Sequence, residues 1–255
     1  MSGRSLALCY HAVSGNWPAP LAVQPDQLER QVRTALERGY RPTTFHELVL
    51  GAPAGKRVAV TFDDAYLSVY ELAFPLLSRL GVPATVFVPT GHVGANHPMS
   101  WPGIDHWLDG EWRSELRGAS WDQLRELAEA DWEIGSHTRS HPRLPEVEAS
   151  QLAAELEGSR LDCEREIGRP CRTIAYPYGA FDDRVVAATA DAGYEAGAGL
   201  ASRAPVGDRE RNPMRLPRVA VYRGDRPSRI RTKAWLLDRH PRVWNLLIAA
   251  RAARS

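Results

Sequence analysis

Apolar positions along this 255-residue chain fall into two alternating regimes. In the first, hydrophobic residues recur at helical spacing and the pattern runs up to a glycine. "QLERQVRTALERGY" puts Leu28, Val32, Ala35 and Leu36 on one face and stops at Gly39. "YELAFPLLSRLG" stops at Gly81, "QLAAELEGSRLDCEREIG" at Gly168 and "DDRVVAATADAG" at Gly193. Glycine suits the left-handed position just past a helix end. Ser120 and Gln123 have the spacing of a capping box and predict another helix start. In the second regime, LALCYH, RVAVTF, PATVFV, WEIGSH, CRTIAYP and RLPRVAVY are apolar at successive positions. Such runs suit strands covered on both faces, as in a parallel sheet. Strand and helix alternate over most of the chain, which predicts a single α/β domain over residues 1–222.

Several of these strands end on ionisable residues. "RVAVTF" runs into Asp63 and Asp64, and "WEIGSH" into His137 and His141. An aspartate after a strand is common in turns, where it bonds its own backbone. A second reading is a site in which two carboxylates do different jobs. His137 and His141 stand at i, i+4, which on one helical turn projects both imidazoles from the same face. Two histidines and one carboxylate make a facial metal triad, so Asp64, His137 and His141 are candidate ligands. In parallel α/β folds the strand C-termini open onto one face, where residues distant in sequence meet. A third strand ends in "AYPYGAFD", where Gly179 is free to take unusual dihedrals and aim a backbone N–H.

TFDDA, SHTRSH and YPYG, in this order, resemble the motifs of the polysaccharide deacetylases, the NodB-homology carbohydrate esterases, over roughly residues 6–222. The resemblance implies a distorted (β/α) barrel with fewer than the standard eight strands. It implies one divalent metal, zinc in most members, with cobalt or nickel as alternatives. It implies removal of N-acetyl groups, sometimes O-acetyl groups, from sugars. Asp63 resembles the general base, Asp64 a metal ligand alongside His137 and His141, and Tyr178 the residue whose backbone N–H helps to hold the oxyanion. Many members carry the general-acid histidine in an L-x-H strand near the C-terminus. The late histidine here, His240, lies in no such strand. One branch of the family is circularly permuted, and "LALCYHAVS" resembles its displaced strand, which nominates His11. Ala65 stands where the family usually has glycine. The arginine that often precedes the Pro-Tyr motif has no match in "TIAYPYG", and Arg218, on another predicted strand, is the candidate to replace it.

The segment 91–131 carries Trp101, Trp107, Trp112 and Trp121 with His92, His97 and His106. Such a cluster is either core packing or a flat apolar wall for a sugar. Trp101, with Tyr176 and Pro177, is expected to bind substrate.

Composition changes this picture little. At 44% hydrophobic and 25% charged the chain is an ordinary globular one, and a formal net charge of +1 gives no reason to expect a nucleic-acid partner. Cys9, Cys163 and Cys171 are an odd count without a CxxC pair, which argues against a disulfide framework or a structural zinc knot. The N-terminal apolar run is too short for a signal peptide, and no stretch reaches the about 20 apolar residues of a membrane span. A cytoplasmic location is therefore expected. The tail 223–255 sets Arg229, Arg231, Lys233, Arg239, Arg242, Arg251 and Arg254 against one acid, Asp238, in the stretch from Ser228. Interspersed Trp235 and Trp244 make a basic amphipathic helix for an anionic membrane surface one reading, and a docked or frayed C-terminal helix the other. Three functions are weighed: a metal-dependent deacetylase of an N-acetylated saccharide, a hydrolase of a non-sugar amide or imide, and a sugar-binding pseudoenzyme.

Overall fold

The structure, a computed structural model, describes residues 5–52, 55–95, 97–201 and 212–239. His240 and the tail beyond it lie outside the described residues. The described residues form ten strands: β1 (Ser5–Tyr10), β2 (Ala12–Val13), β3 (Ala22–Val23), β4 (Arg41–Thr43), β5 (Arg57–Phe62), β6 (Ala84–Val88), β7 (Glu133–Ser136), β8 (Thr173–Ala175), β9 (Ala196–Leu200) and β10 (Leu216–Ala220). The helices are α1 (Pro25–Glu37), α2 (Phe45–Leu50), α3 (Phe74–Arg79), α4 (Trp121–Glu129), α5 (Ala149–Ile167), α6 (Asp183–Asp191) and α7 (Pro227–Arg239).

Seven parallel strands close on themselves in the order β1-β10-β9-β8-β7-β6-β5, because β1 pairs with both β10 and β5. The short β4 pairs with the first half of β5, on the edge whose second half pairs with β6. The barrel is therefore one strand short of the standard eight. Six of its strands are those expected from apolar runs. The seventh, β9, reads AGAGL, and its small side chains hide it from a hydrophobicity pattern.

Two apolar layers result. The larger lies outside the barrel beneath the helices; the smaller fills the lumen with Ala7, Ala59, Phe87, Ala175, Ala196 and Ala198. Small side chains are needed there because Phe87 and the long Arg218 share the space. A Cβ on Gly135 of β7 would sit 2.7 Å from Phe87 and from Thr173. Helix α2 plugs the N-terminal end of the barrel with Phe45 and Leu48, Phe45 meeting Phe87 edge-on at 5.5 Å. Truncating such a ring to alanine costs about 3–5 kcal/mol. With that end sealed, chemistry is left to the C-terminal ends of the strands.

The expected glycine stops are present: Gly39, Gly81, Gly168 and Gly193 all hold positive φ. Ser120 and Gln123 form the capping box that opens α4. The segment "YELAF" is not plain α-helix; Val69–Ala73 is a π-helical turn that leads into α3. The described part of the tail is docked. Lys233 of α7 bonds Ala220 O and Asp225, and Arg223 donates to the carbonyls of Ser14, Gly15 and Ala22. Among the described residues no helix is long and apolar enough to cross a membrane.

Candidate active site

The β1–β5 register sets Cys9 opposite Thr61 and Tyr10 opposite Phe62. The next residues, His11 and Asp63, thus leave the barrel side by side, and Asp63 N–H still donates to Tyr10 O at 3.0 Å. Asp63 is 3% exposed and Arg218 fully buried. The Arg218 guanidinium donates to both carboxylate oxygens, at 2.6 and 2.8 Å, and to Thr61 Oγ1 at 3.0 Å. Its plane lies 5.1 Å over the Phe87 ring. The Cys9 thiol donates to Asp63 Oδ2 at 3.3 Å. Burial alone would raise the Asp63 pKa, but the charge of Arg218, then of His137, and the Arg218 hydrogen bonds hold it well below the usual carboxylate range. Asp63 is therefore a fixed, ionised carboxylate.

Asp64 comes next and turns away, with φ 70, followed by Ala65 with φ 50. Left-handed backbone at a non-glycine residue costs about 1 kcal/mol or more, which is a physical reason for glycine to be favoured at position 65. Asp64 Oδ1 lies 3.5 Å from His137 Nε2 and 3.4 Å from His141 Nε2. These three side chains are buried. The His137 Nδ1–H donates to Ala175 O at 2.7 Å. A carbonyl only accepts, so the proton sits on Nδ1 and the Nε2 lone pair faces Asp64. Burial lowers His137 to about 4, and lowers His141 as well, so both rings are neutral near pH 7.

These groups test the fit of a cation. Asp64 Oδ1 is buried and has no hydrogen-bond partner. It faces two ring nitrogens, one of them a fixed lone pair, and an arrangement of acceptors with no donor is costly unless a cation or a proton lies between them. Donor atoms of Asp64, His137 and His141 all lie within 4.8 Å of one another. Two imidazoles and a carboxylate suit zinc or a similar dication. The residues fit the implied metal.

The histidine pair is not on a helix. Residues 137–141 are irregular, with φ 67 at Thr138 and φ 60 at His141. The loop is tied down from α5: Glu155 accepts from Arg139 N–H, Ser140 N–H and the Ser140 hydroxyl, and Asp162 from Arg139 and Thr90. Sequence reasoning missed this ledge, although Glu155, Ser159 and Asp162 are polar residues at helical spacing on the buried face of α5. It also missed Cys9, which reads as an ordinary strand residue.

The residues expected to contact substrate are all buried. Trp101 is 7% exposed; its ring stacks on His141 at 4.2 Å and meets His92 in an edge contact at 5.1 Å. Tyr176 is fully buried and its hydroxyl donates to Met214 O at 2.9 Å. Pro177 is buried beside it. Tyr176 and Pro177 support the turn from beneath. Tyr178 differs: it is half-buried, holds φ 58, and among the described residues its N–H is given to no backbone carbonyl. Its ring lies 4.7 Å from His141 and under Arg143 at 4.5 Å. His11 stands beside Asp63, and its Nδ1 is buried without a partner.

Comparison with known proteins completes the description. The family model for polysaccharide deacetylase matches residues 51–197. A Bacillus subtilis protein named for that family is 26% identical over 223 residues, covering 85% of this chain and 71% of its own length. A poly-β-1,6-N-acetyl-D-glucosamine N-deacetylase of Staphylococcus aureus is 26% identical over 212 residues, 78% of this chain and 68% of that protein. The fold superimposes on a Streptococcus pyogenes deacetylase solved with acetate, with a TM-score of 0.73 at 21% identity, over 91% of this chain and 98% of that one.

Proposed function

The chain belongs to the polysaccharide deacetylase family, and on that premise we propose that it hydrolyses N-acetyl groups of a saccharide at a zinc-type dication held by Asp64, His137 and His141. The observation that carries the reading is the orphaned Asp64 Oδ1 facing the two imidazole nitrogens. When bound there, the dication supplies Lewis acidity to the acetyl carbonyl and acidifies water.

The remaining work falls to the chain's own groups. Asp63, unligated and kept ionised by Arg218, accepts the proton of the attacking water. Arg218 fixes the plane of that carboxylate, so the base needs no reorganisation when it acts. The Tyr178 N–H, at a turn residue with φ 58, donates to the oxygen on which negative charge develops. An amine leaves only as a protonated group, and His11 delivers that proton. Two facts support the His11 assignment: its register neighbour is Asp63, and β1 closes the barrel between β5 and β10. On this reading the chain is of the permuted branch, its acid histidine near the N-terminus.

The Staphylococcus relative's name nominates a β-1,6-linked N-acetylglucosamine oligomer as first substrate. The test is acetate release from that oligomer by the zinc-loaded protein beside Asp64→Ala. Wild-type release with an inert variant is expected; an inert wild type with zinc bound would favour the sugar-binding pseudoenzyme. Peripheral contact with an anionic bilayer is a further part of the proposal, supported by exposed Arg226 and Arg231. Failure to sediment with phosphatidylserine vesicles at low salt would remove it.

A further inference from the structure

Beneath the proposed acid and base lies a group that the mechanism does not use. Cys9 is fully buried on the lumen face of β1, one layer below His11. Its Sγ is 3.3 Å from Asp63 Oδ2, and donor atoms of Cys9, His11 and Asp63 lie within 4.8 Å of one another. His11 Nδ1 is buried with no partner. Zinc bonds of about 2.3 Å to sulfur and about 2.0–2.2 Å to oxygen place a sulfur and an oxygen ligand of one tetrahedral ion roughly 3.5–3.7 Å apart. The Cys9–Asp63 contact of 3.3 Å is close to that separation, and a ring nitrogen of His11 lies within 4.8 Å of both donor atoms.

We propose that Cys9, His11 and Asp63 form a second, inhibitory site for a thiophilic divalent cation such as zinc in excess, cobalt or cadmium. The thiol proton passes to solvent as the ion binds, so one metal–sulfur bond replaces one S–H bond and no electron is transferred. The thiolate selects soft ions over magnesium or calcium. The guanidinium of Arg218, bonded to the same carboxylate, opposes a further positive charge. This second site is therefore weaker than that of Asp64, His137 and His141, and it fills after it. Filling it ligates both residues read above as base and acid. The inhibitory consequence rests on that reading; the binding itself does not.

The experiment titrates cobalt(II) into the full chain already loaded with one equivalent of zinc, which is spectroscopically silent. One equivalent of cobalt is expected to bind with a near-ultraviolet thiolate-to-cobalt charge-transfer band. Cys9→Ser and Cys9→Ala, each checked for folding by circular dichroism, lose the band and retain the zinc. A Cys163→Ser/Cys171→Ser variant keeps the band. A band that survives in both Cys9 variants, or a folded wild type that takes up no cobalt and shows no band, overturns the proposal. If the band appears as expected but no saccharide is ever deacetylated, the deacetylase reading fails and the second site stands.

Discussion

Arg218 holds both carboxylate oxygens of Asp63, at 2.6 and 2.8 Å, although 155 positions separate the two residues. Both are buried, so neither charge has water to fall back on. Replacing Arg218 by methionine leaves Asp63 as an uncompensated buried anion. The expected cost is about 3–5 kcal/mol, read by urea unfolding. Arg218→Lys keeps the charge and loses the two-pronged grip, and its expected signature is a lower kcat at nearly unchanged KM.

The two neighbouring aspartates should separate cleanly. Asp63→Asn removes the base and is expected to lower kcat by about 10²–10⁴ while the protein keeps its metal. Asp64→Asn is expected to lose the metal itself. Elemental analysis of the two purified variants, beside their acetate release, distinguishes them.

His11 is assigned to the leaving group, so its importance should depend on how badly that group needs a proton. His11→Ala is expected to lose most of its rate on an N-acetyl sugar and much less on an aryl acetate, whose phenolate departs unaided. Equal losses on the two substrates would remove the acid role.

Metal affinity carries a pH dependence whose sign is fixed by Asp64. Burial, and next the charge of Asp63, push this carboxyl well above its usual 3.8. The metal-free protein keeps a proton there at pH values where a free aspartate is ionised. An incoming dication must displace it, so affinity rises with pH, by up to about tenfold per unit, until Asp64 ionises unaided. His137, lowered to about 4, adds competition by protons only below that pH. Calorimetry in buffers of different ionisation enthalpy counts the released proton.

Glu155 holds the His137–His141 loop through three hydrogen bonds. Glu155→Ala is expected to weaken metal binding about 10–100-fold, as losses of supporting hydrogen bonds around metal ligands do. Glu155→Asp should recover part of the affinity, read by competition with a chromophoric chelator.

The sequence made some of this legible and concealed the rest, for physical reasons. Charged residues cannot end a buried strand without consequence, so Asp63, Asp64 and His137 announced a site. Six barrel strands showed as apolar runs because both faces are covered; β9 did not, because its alanines face a lumen shared with Phe87 and its glycines lie close against Tyr176 and Phe181. Spacing put His137 and His141 together for the wrong reason: a strained loop does what a helical turn was expected to do. Arg218 could be nominated but not aimed, since its partner is fixed by barrel closure, which no local pattern encodes. The burial of Trp101, Tyr176 and Pro177 was not legible, because residues near a motif look alike in sequence whether they face a ligand or support the residues that do.

The claim beneath the whole account is that one dication is shared by Asp64, His137 and His141. Anomalous diffraction from zinc-soaked crystals, collected on both sides of the zinc edge, tests it most directly. The account predicts a peak about 2.0–2.2 Å from an Asp64 oxygen and from both Nε2 atoms. A peak elsewhere, with Asp64 still facing unligated imidazoles in protein that has taken up zinc, would contradict it.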